Sequence, residues 1–275
     1  MKYDETDFFS DLKYNVKGIL GNNLMKEYAW YFSKENIHII KKVKLIEDIF
    51  TYKKGKLQGK SNYPTLISTF RKPRATTLFD TGDNAFFEIG EEVLQYLPAK
   101  ELRSGKGVSG KRAFSEDTMV KVVKTNKFEI LGLTLDNPIA YVGQGRRFFL
   151  GAEFLEFFDI IIDFPRRKYY VRQNAQYYES DLSNTFGFNT KIENENLFVN
   201  MIWHNSEADK KGIEIGDKIL KINKLNVLDV IKFKKAYEAI QIISTELKKQ
   251  NISLKLMHDN GIEKTYNLSK KFLFE

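Results

Sequence analysis

Apolar residues in this chain fall mostly into short runs separated by polar turns, a pattern of strands more than of long helices. Trp30-Tyr31-Phe32 and Ile37-His38-Ile39-Ile40 read as two strands joined by a polar turn. Thr77-Leu78-Phe79 reads as a buried strand, and Met119 to Val123 as another. From Phe149 the pattern gives a strand, then Gly151 and a short helix with Phe154, Leu155 and Phe158 inward. A strand pair turned at Pro165-Arg166-Arg167 follows. Glu91 to Leu97 is helix-like. Further on, a short helix ends at Gly212, Gly216-Asp217 makes a turn, and an alternating strand runs to Asn223. Phe233, Ala236, Tyr237, Ile240 and Ile243 recur at helical spacing and predict a helix over Ile231 to Ile243. Ile252 to Met257 and Thr265 to Leu268 close the pattern as strands turned at Asp259-Asn260-Gly261.

The length of 275 residues fits two domains, and 42% hydrophobic with 14% aromatic content is enough for packed cores. No apolar run reaches the length of a membrane span. The absence of cysteine excludes disulfides, a thiol nucleophile and thiolate metal sites. His38, His204 and His258 each stand alone, which argues against a metal centre and against a Ser-His-Asp triad, and no nucleophile-elbow pattern accompanies them. The net charge of +8 comes from scattered pairs beside turns, such as Lys53-Lys54, Arg146-Arg147 and Arg166-Arg167, and not from a stripe. Nucleic-acid binding is therefore not expected. Met1 to Lys17 has no apolar core of a signal peptide.

The most informative local feature is Asp80-Thr81-Gly82 at the end of the Thr77-Leu78-Phe79 strand, with Phe148-Phe149-Leu150-Gly151 downstream. A carboxylate leaving a buried strand into a tight Thr-Gly turn is held rigidly, and the second segment can cross behind and brace it. With the helix and hairpin that follow Gly151, residues 43 to 172 resemble one lobe of a retropepsin-like aspartic peptidase. Such enzymes use two carboxylates sharing one proton. One accepts a proton from the attacking water while the other donates a hydrogen bond to the substrate oxygen. The resemblance implies Asp80 as one catalytic carboxylate, Thr81 bonding toward the opposite lobe, and Gly82 allowing close backbone approach. It implies a polypeptide substrate, and neither metal nor organic cofactor. Asp83 departs from the small residue usual after this tripeptide, and a third inward carboxylate would oppose ionisation of the pair. Asp136 and Asp163 read as turn formers. A candidate flap lies between Leu102 and Val120, with Ser104 to Gly110 flexible and polar; the G-x-G-x-x-G pattern at Gly105, Gly107 and Gly110 follows a helix-like segment and starts no helix, so a nucleotide site is rejected.

The ending of the lobe occurs twice. Gly21 corresponds to Gly151 and Tyr28 to Phe158, a period of 130 residues that implies two tandem lobes. The expected organisation is a remnant of a first lobe over residues 1–42, a complete lobe over 43–178 and a third domain over 180–272. Either the chain is truncated before residue 1, which is the favoured reading, or a second chain supplies the other carboxylate.

The third segment, Asn205-Ser206-Glu207-Ala208 through Gly212 and Gly216-Asp217 to Asn223, is similar to PDZ domains. The resemblance implies that Thr185-Phe186-Gly187-Phe188 captures the terminal carboxylate of a peptide through successive backbone N–H groups. Phe186 and Phe188 would wall the pocket, and the following strand would accept the peptide at its edge. The expected fold is mainly β: a retropepsin-like barrel lobe plus a remnant, followed by an α+β PDZ domain. The expected function is aspartic-type endopeptidase with PDZ recognition of peptide C-termini; the alternative is an inactive scaffold that only binds peptides. The resemblance suggests an exported bacterial protein.

Overall fold

The computed structural model describes residues 22–40, 52–57, 65–67, 76–83, 85–97, 100–107, 111–112, 115–116, 119–145, 148–174 and 184–274. Parts of the flap candidate between Leu102 and Val120, namely residues 108–110, 113–114 and 117–118, therefore lie outside the described residues. Strands dominate. In chain order they begin with β1 (Ala29–Phe32), β2 (Ile37–Ile40), β3 (Lys53–Lys56), β4 (Thr65–Ile67), β5 (Thr76–Phe79) and β6 (Phe87–Gly90). Next come β7 (Lys100–Gly107), the two-residue β8 (Lys111–Arg112) and β9 (Ser115–Glu116), β10 (Met119–Thr125), β11 (Lys127–Ile130) and β12 (Leu133–Asp136). They continue as β13 (Ile139–Gly143), β14 (Phe148–Leu150), β15 (Phe158–Asp163), β16 (Lys168–Gln173), β17 (Asn184–Thr185), β18 (Phe188–Glu193) and β19 (Asn196–Trp203). The last are β20 (Lys218–Ile222), β21 (Leu225–Asn226), β22 (Asn251–Met257), β23 (Glu263–Ser269) and β24 (Lys271–Phe272). The chain divides into two compact units: Ile19–Leu102 with Lys121–Ser180, and Arg103–Val120 with Asp181–Glu275.

In the first unit a five-stranded sheet runs β2-β1-β15-β16-β3, antiparallel throughout. Its alternation buries Trp30 and Phe32 of β1 in the same core as Ile160 and Ile162 of β15. The strand β1 is thus an integral part of this sheet, with Phe32 packed edge-on against Phe79 at 5.2 Å, while Ile37 and Ile39 of β2 stay exposed. Phe87, Phe128 and Phe148 meet with ring centroids 4.9–5.8 Å apart, and Phe154 stacks on Phe158 at 4.7 Å. Each such ring buried contributes roughly 1.5–3 kcal/mol. The 3₁₀ helix Ala152–Glu156 is the short helix expected after Gly151, with Phe154 and Leu155 buried. The hairpin turn at Pro165 to Arg167 is held by Asp163: one carboxylate oxygen accepts the Arg166 N–H at 3.1 Å and the other pairs with its guanidinium at 3.0 Å.

In the second unit β18, β19, β20, β22 and β23 form an antiparallel ladder over a core of Leu197, Val199, Ile202, Ile219, Ile222, Leu254 and Leu256. Ser206 caps the helix Glu207–Lys210 by accepting the Asp209 N–H, and Gly212 ends the turn at φ +75°. Two expectations fail here. Ser104 to Gly107, expected as flexible loop, is the end of β7 and pairs with β19: Gly105 opposite Trp203, Lys106 opposite Ile202, Gly107 opposite Met201. The predicted helix Ile231 to Ile243 is two helices, Val227–Phe233 and Ala236–Leu247, separated at Lys234-Lys235 where the backbone is extended. Phe233 consequently projects to solvent at 81% exposure, while Ile231, Ala239 and Ile243 carry the buried face.

Candidate functional site

The sequence brings Asp80 to the end of β5, and the partner that fixes it is β14. β14 lies between two strands, parallel to β5 (Phe148 opposite Thr77, Leu150 opposite Phe79) and antiparallel to β6 (Leu150 opposite Phe87). At the end of this insertion the Asp80 N–H donates to Leu150 O at 2.8 Å, and the Ala152 N–H donates to Asp83 O at 2.6 Å. Those two bonds bracket Gly151, whose absent side chain is required: a Cβ there would lie 2.1 Å from Ala85 O and 2.5 Å from Asp83 O. Its φ of −92° is ordinary, so the requirement is one of space.

Asp80 itself is exposed, and its Oδ1 accepts the Gly82 N–H at 2.9 Å. Thr81 and Gly82 are exposed in the same turn. Asp83 is half-buried and turns back on its own backbone, with Oδ1 accepting the Ala85 N–H at 2.9 Å. The turn thus presents one outward carboxylate on a backbone fixed from behind. Asp136 is the exposed last residue of β12, opposite Lys127, and the turn after it carries Asn137 at φ +50°. Among the described residues no three His, Asp or Glu side chains are placed to hold a metal ion. Nor is any described helix long and apolar enough to cross a membrane.

An ionic cluster beneath the five-stranded sheet was not signalled by any motif. Asp159, 2% exposed, accepts from Arg172 Nε at 2.7 Å and from Asn174 Nδ2 at 2.9 Å. Arg172 in turn lies over the Tyr52 ring, 5.4 Å from its centroid. Burial, followed by hydrogen bonding and charge from Asp159, pushes the Tyr31 hydroxyl above the usual phenol range. The cluster joins β1, β15 and β16.

The second predicted site lies between β17 and β18. Gly187 takes φ +93°, and a Cβ on it would meet Ser206 Cβ and Oγ at 2.1 Å, so only glycine fits. Phe186 and Phe188 are buried at 4% and 7% exposure and stack at 6.2 Å; both belong to the domain core as well as to the loop. The Gly187 N–H donates to Thr185 Oγ1 at 3.0 Å, and the loop carbonyls accept from Ala208 and Trp203. Lys270 places its ammonium 5.6 Å from the Phe186 ring centroid. Thr185, Ser206 and Lys270 hold this loop; Thr185 and Ser206 fall in the segments that carry the resemblance, whereas no motif signals Lys270. A separate cavity of about 230 Å³ opens between Leu197, Ile219, Val227 and Lys218, Lys221, Lys255; none of Thr185 to Phe188 lines it.

Residues 178–257 match the PDZ domain family, the segment in which this loop, the capped helix Glu207–Lys210 and the Gly216-Asp217 turn are found. The chain thus carries a PDZ domain, a module that binds peptides or proteins, alongside a second unit that is also mainly β. No curated protein matches the chain significantly.

Proposed function

We propose that the chain is part of an aspartic-type endopeptidase, with Asp80 as one of two carboxylates that activate water, and that its PDZ domain binds C-terminal peptide ends. The observation that carries the peptidase reading is the bracket around Gly151. The Asp80 N–H to Leu150 O and Ala152 N–H to Asp83 O bonds fix the backbone of the turn, and the Gly82 N–H bond to Oδ1 holds the exposed carboxylate on it. Preorganisation of this kind lets a carboxylate act without reorganising during reaction. Because Asp83 is engaged with Ala85, it need not crowd the dyad. The second carboxylate comes from another lobe, either on the same polypeptide or on a second copy. Peptide capture is supported by the Phe186–Phe188 loop preceding the β18 edge.

The test is cleavage of denatured protein between acid and neutral pH, by the chain alone over a range of concentrations and by the chain fused behind a complete first lobe. Cleavage abolished by Asp80→Asn, with peptide binding retained, is the expected result. Absence of cleavage in both forms, or cleavage unaffected by Asp80→Asn, leaves a peptide-binding protein and removes the enzyme.

A further inference from the structure

β19 is shared by two segments far apart in sequence. On one edge Phe188 pairs with Ile202 and Asn189 with Met201, and the Trp203 N–H donates to Gly187 O at 2.9 Å. On the other edge Met201, Ile202 and Trp203 pair with Gly107, Lys106 and Gly105, and the His204 N–H donates to Ser104 O at 3.0 Å. Neighbouring strands lie about 4.8 Å apart, so one strand's width separates each segment from β19. Both flanks are packed without slack. A Cβ at Gly107 would lie 2.2 Å from Asn200 O, one at Gly105 2.6 Å from Ile202 O, and one at Gly187 2.1 Å from Ser206 Cβ. Met201, Ile202 and Trp203 between them are fully buried.

We propose that the strand Ser104–Gly107 responds to what the Phe186–Gly187–Phe188 loop holds, so that the PDZ domain regulates as well as recognises. The inference rests on the loop binding peptide ends. A peptide that joins β18 stabilises the β18–β19 ladder, and a ladder that opens less often leaves the same β19 residues more firmly paired with Gly105 to Gly107. By reciprocity, weakening that pairing must weaken the peptide. β7 is continuous from Lys100, and its first residues count with the unit that contains Asp80.

The test is hydrogen exchange on the full chain. The probe is a pool of short peptides with an apolar last residue and a free carboxylate, compared with the same pool amidated. Exchange should slow on the order of ten-fold at both Phe186–Asn189 and Ser104–Gly107, only with the free acids. Gly105→Ala should weaken the pool's affinity about five-fold. Slowing confined to Phe186–Asn189, with Gly105→Ala binding as the parent does, overturns the coupling and leaves peptide binding intact. No slowing at either segment removes peptide binding and the coupling together.

Discussion

Tyr31 stands opposite Ile161 in the β1–β15 ladder, at the point about which the two hairpins interchange. Trp30 pairs with Ile162 and Phe32 with Ile160. Moving each residue by the repeat length of 130 turns the first pair into the second. The register therefore has a local two-fold relation centred on Tyr31 and Ile161. It places Trp30 and Phe32 of β1 in the core of the first unit.

Trp30→Ala should accordingly destabilise the first unit, by about 3–5 kcal/mol as for other large-to-small core changes. The indole is 4% exposed and its Nε1–H donates to Met25 O at 2.8 Å. Denaturant unfolding followed by circular dichroism measures it; a change below about 1 kcal/mol would show that the hairpin is not part of the core.

Gly151→Ala should loosen the Asp80 turn. Two carbonyl oxygens stand within 2.5 Å of the added Cβ, and both are backbone, so the turn has to move. Overpacking of this kind costs typically about 1–3 kcal/mol. Any peptidase activity should fall with it. By contrast Asp80→Asn keeps an oxygen for the Gly82 N–H and should change stability by less than about 1 kcal/mol.

Arg172→Met should cost more than its exposure suggests. It leaves the buried Asp159 without its cationic partner, with only the neutral donors Asn174 and Tyr31 beside it, and breaking a buried pair costs about 3–5 kcal/mol. Replacing both with apolar residues should recover much of the loss. A double-mutant cycle by chemical denaturation separates the two outcomes.

The first unit should lose stability in alkali. Burial pushes the Tyr169 hydroxyl up to about 12 from its ordinary value of 10.0. A group whose pKa is raised by folding contributes stability that is intact below the unfolded value and lost as pH rises through the folded one. Stability should thus fall between pH 10 and about 12, and Tyr169→Phe should flatten that fall. Tyr52 also reaches about 12, chiefly through burial, so the variant removes only part of the slope.

Asp217→Ala should unfold the second unit preferentially. Asp217, 2% exposed, accepts the Glu214 N–H at 2.8 Å and bonds His258 Nδ1 at 2.7 Å, while His258 Nε2 meets the Tyr266 hydroxyl at 2.9 Å. Losing the carboxylate removes the partner of two groups, the Glu214 N–H and His258 Nδ1, at up to about 1–3 kcal/mol each. Loss of the Tyr266 environment, read by aromatic NMR signals, should accompany it.

Elements whose instructions are local were legible. The Asp80 turn, the Gly151 crossing, the hairpin at Pro165 to Arg167 and the capped helix at Ser206 are each written in a few adjacent residues and appear where expected. What failed was set by distant contacts. Ser104 to Gly107 looked like a loop because glycine and polar residues carry no strand signal, and its partner is β19. Those glycines are there because the β19 backbone comes too close for any Cβ. Helical spacing ran through Phe233 and Ile240, but the break at Lys234-Lys235 rotates the second helix and leaves both exposed. The Asp159–Arg172 cluster drew residues from separate strands and left no trace at any single position.

The pairing of Ser104–Gly107 with Met201–Trp203 also means that homology and physics draw this domain's border differently. A fragment excised at residue 178 would leave behind the strip that seals one rim of its own sheet. The raw rim would then be an invitation to self-association, and low solubility of such a fragment would report the missing strip.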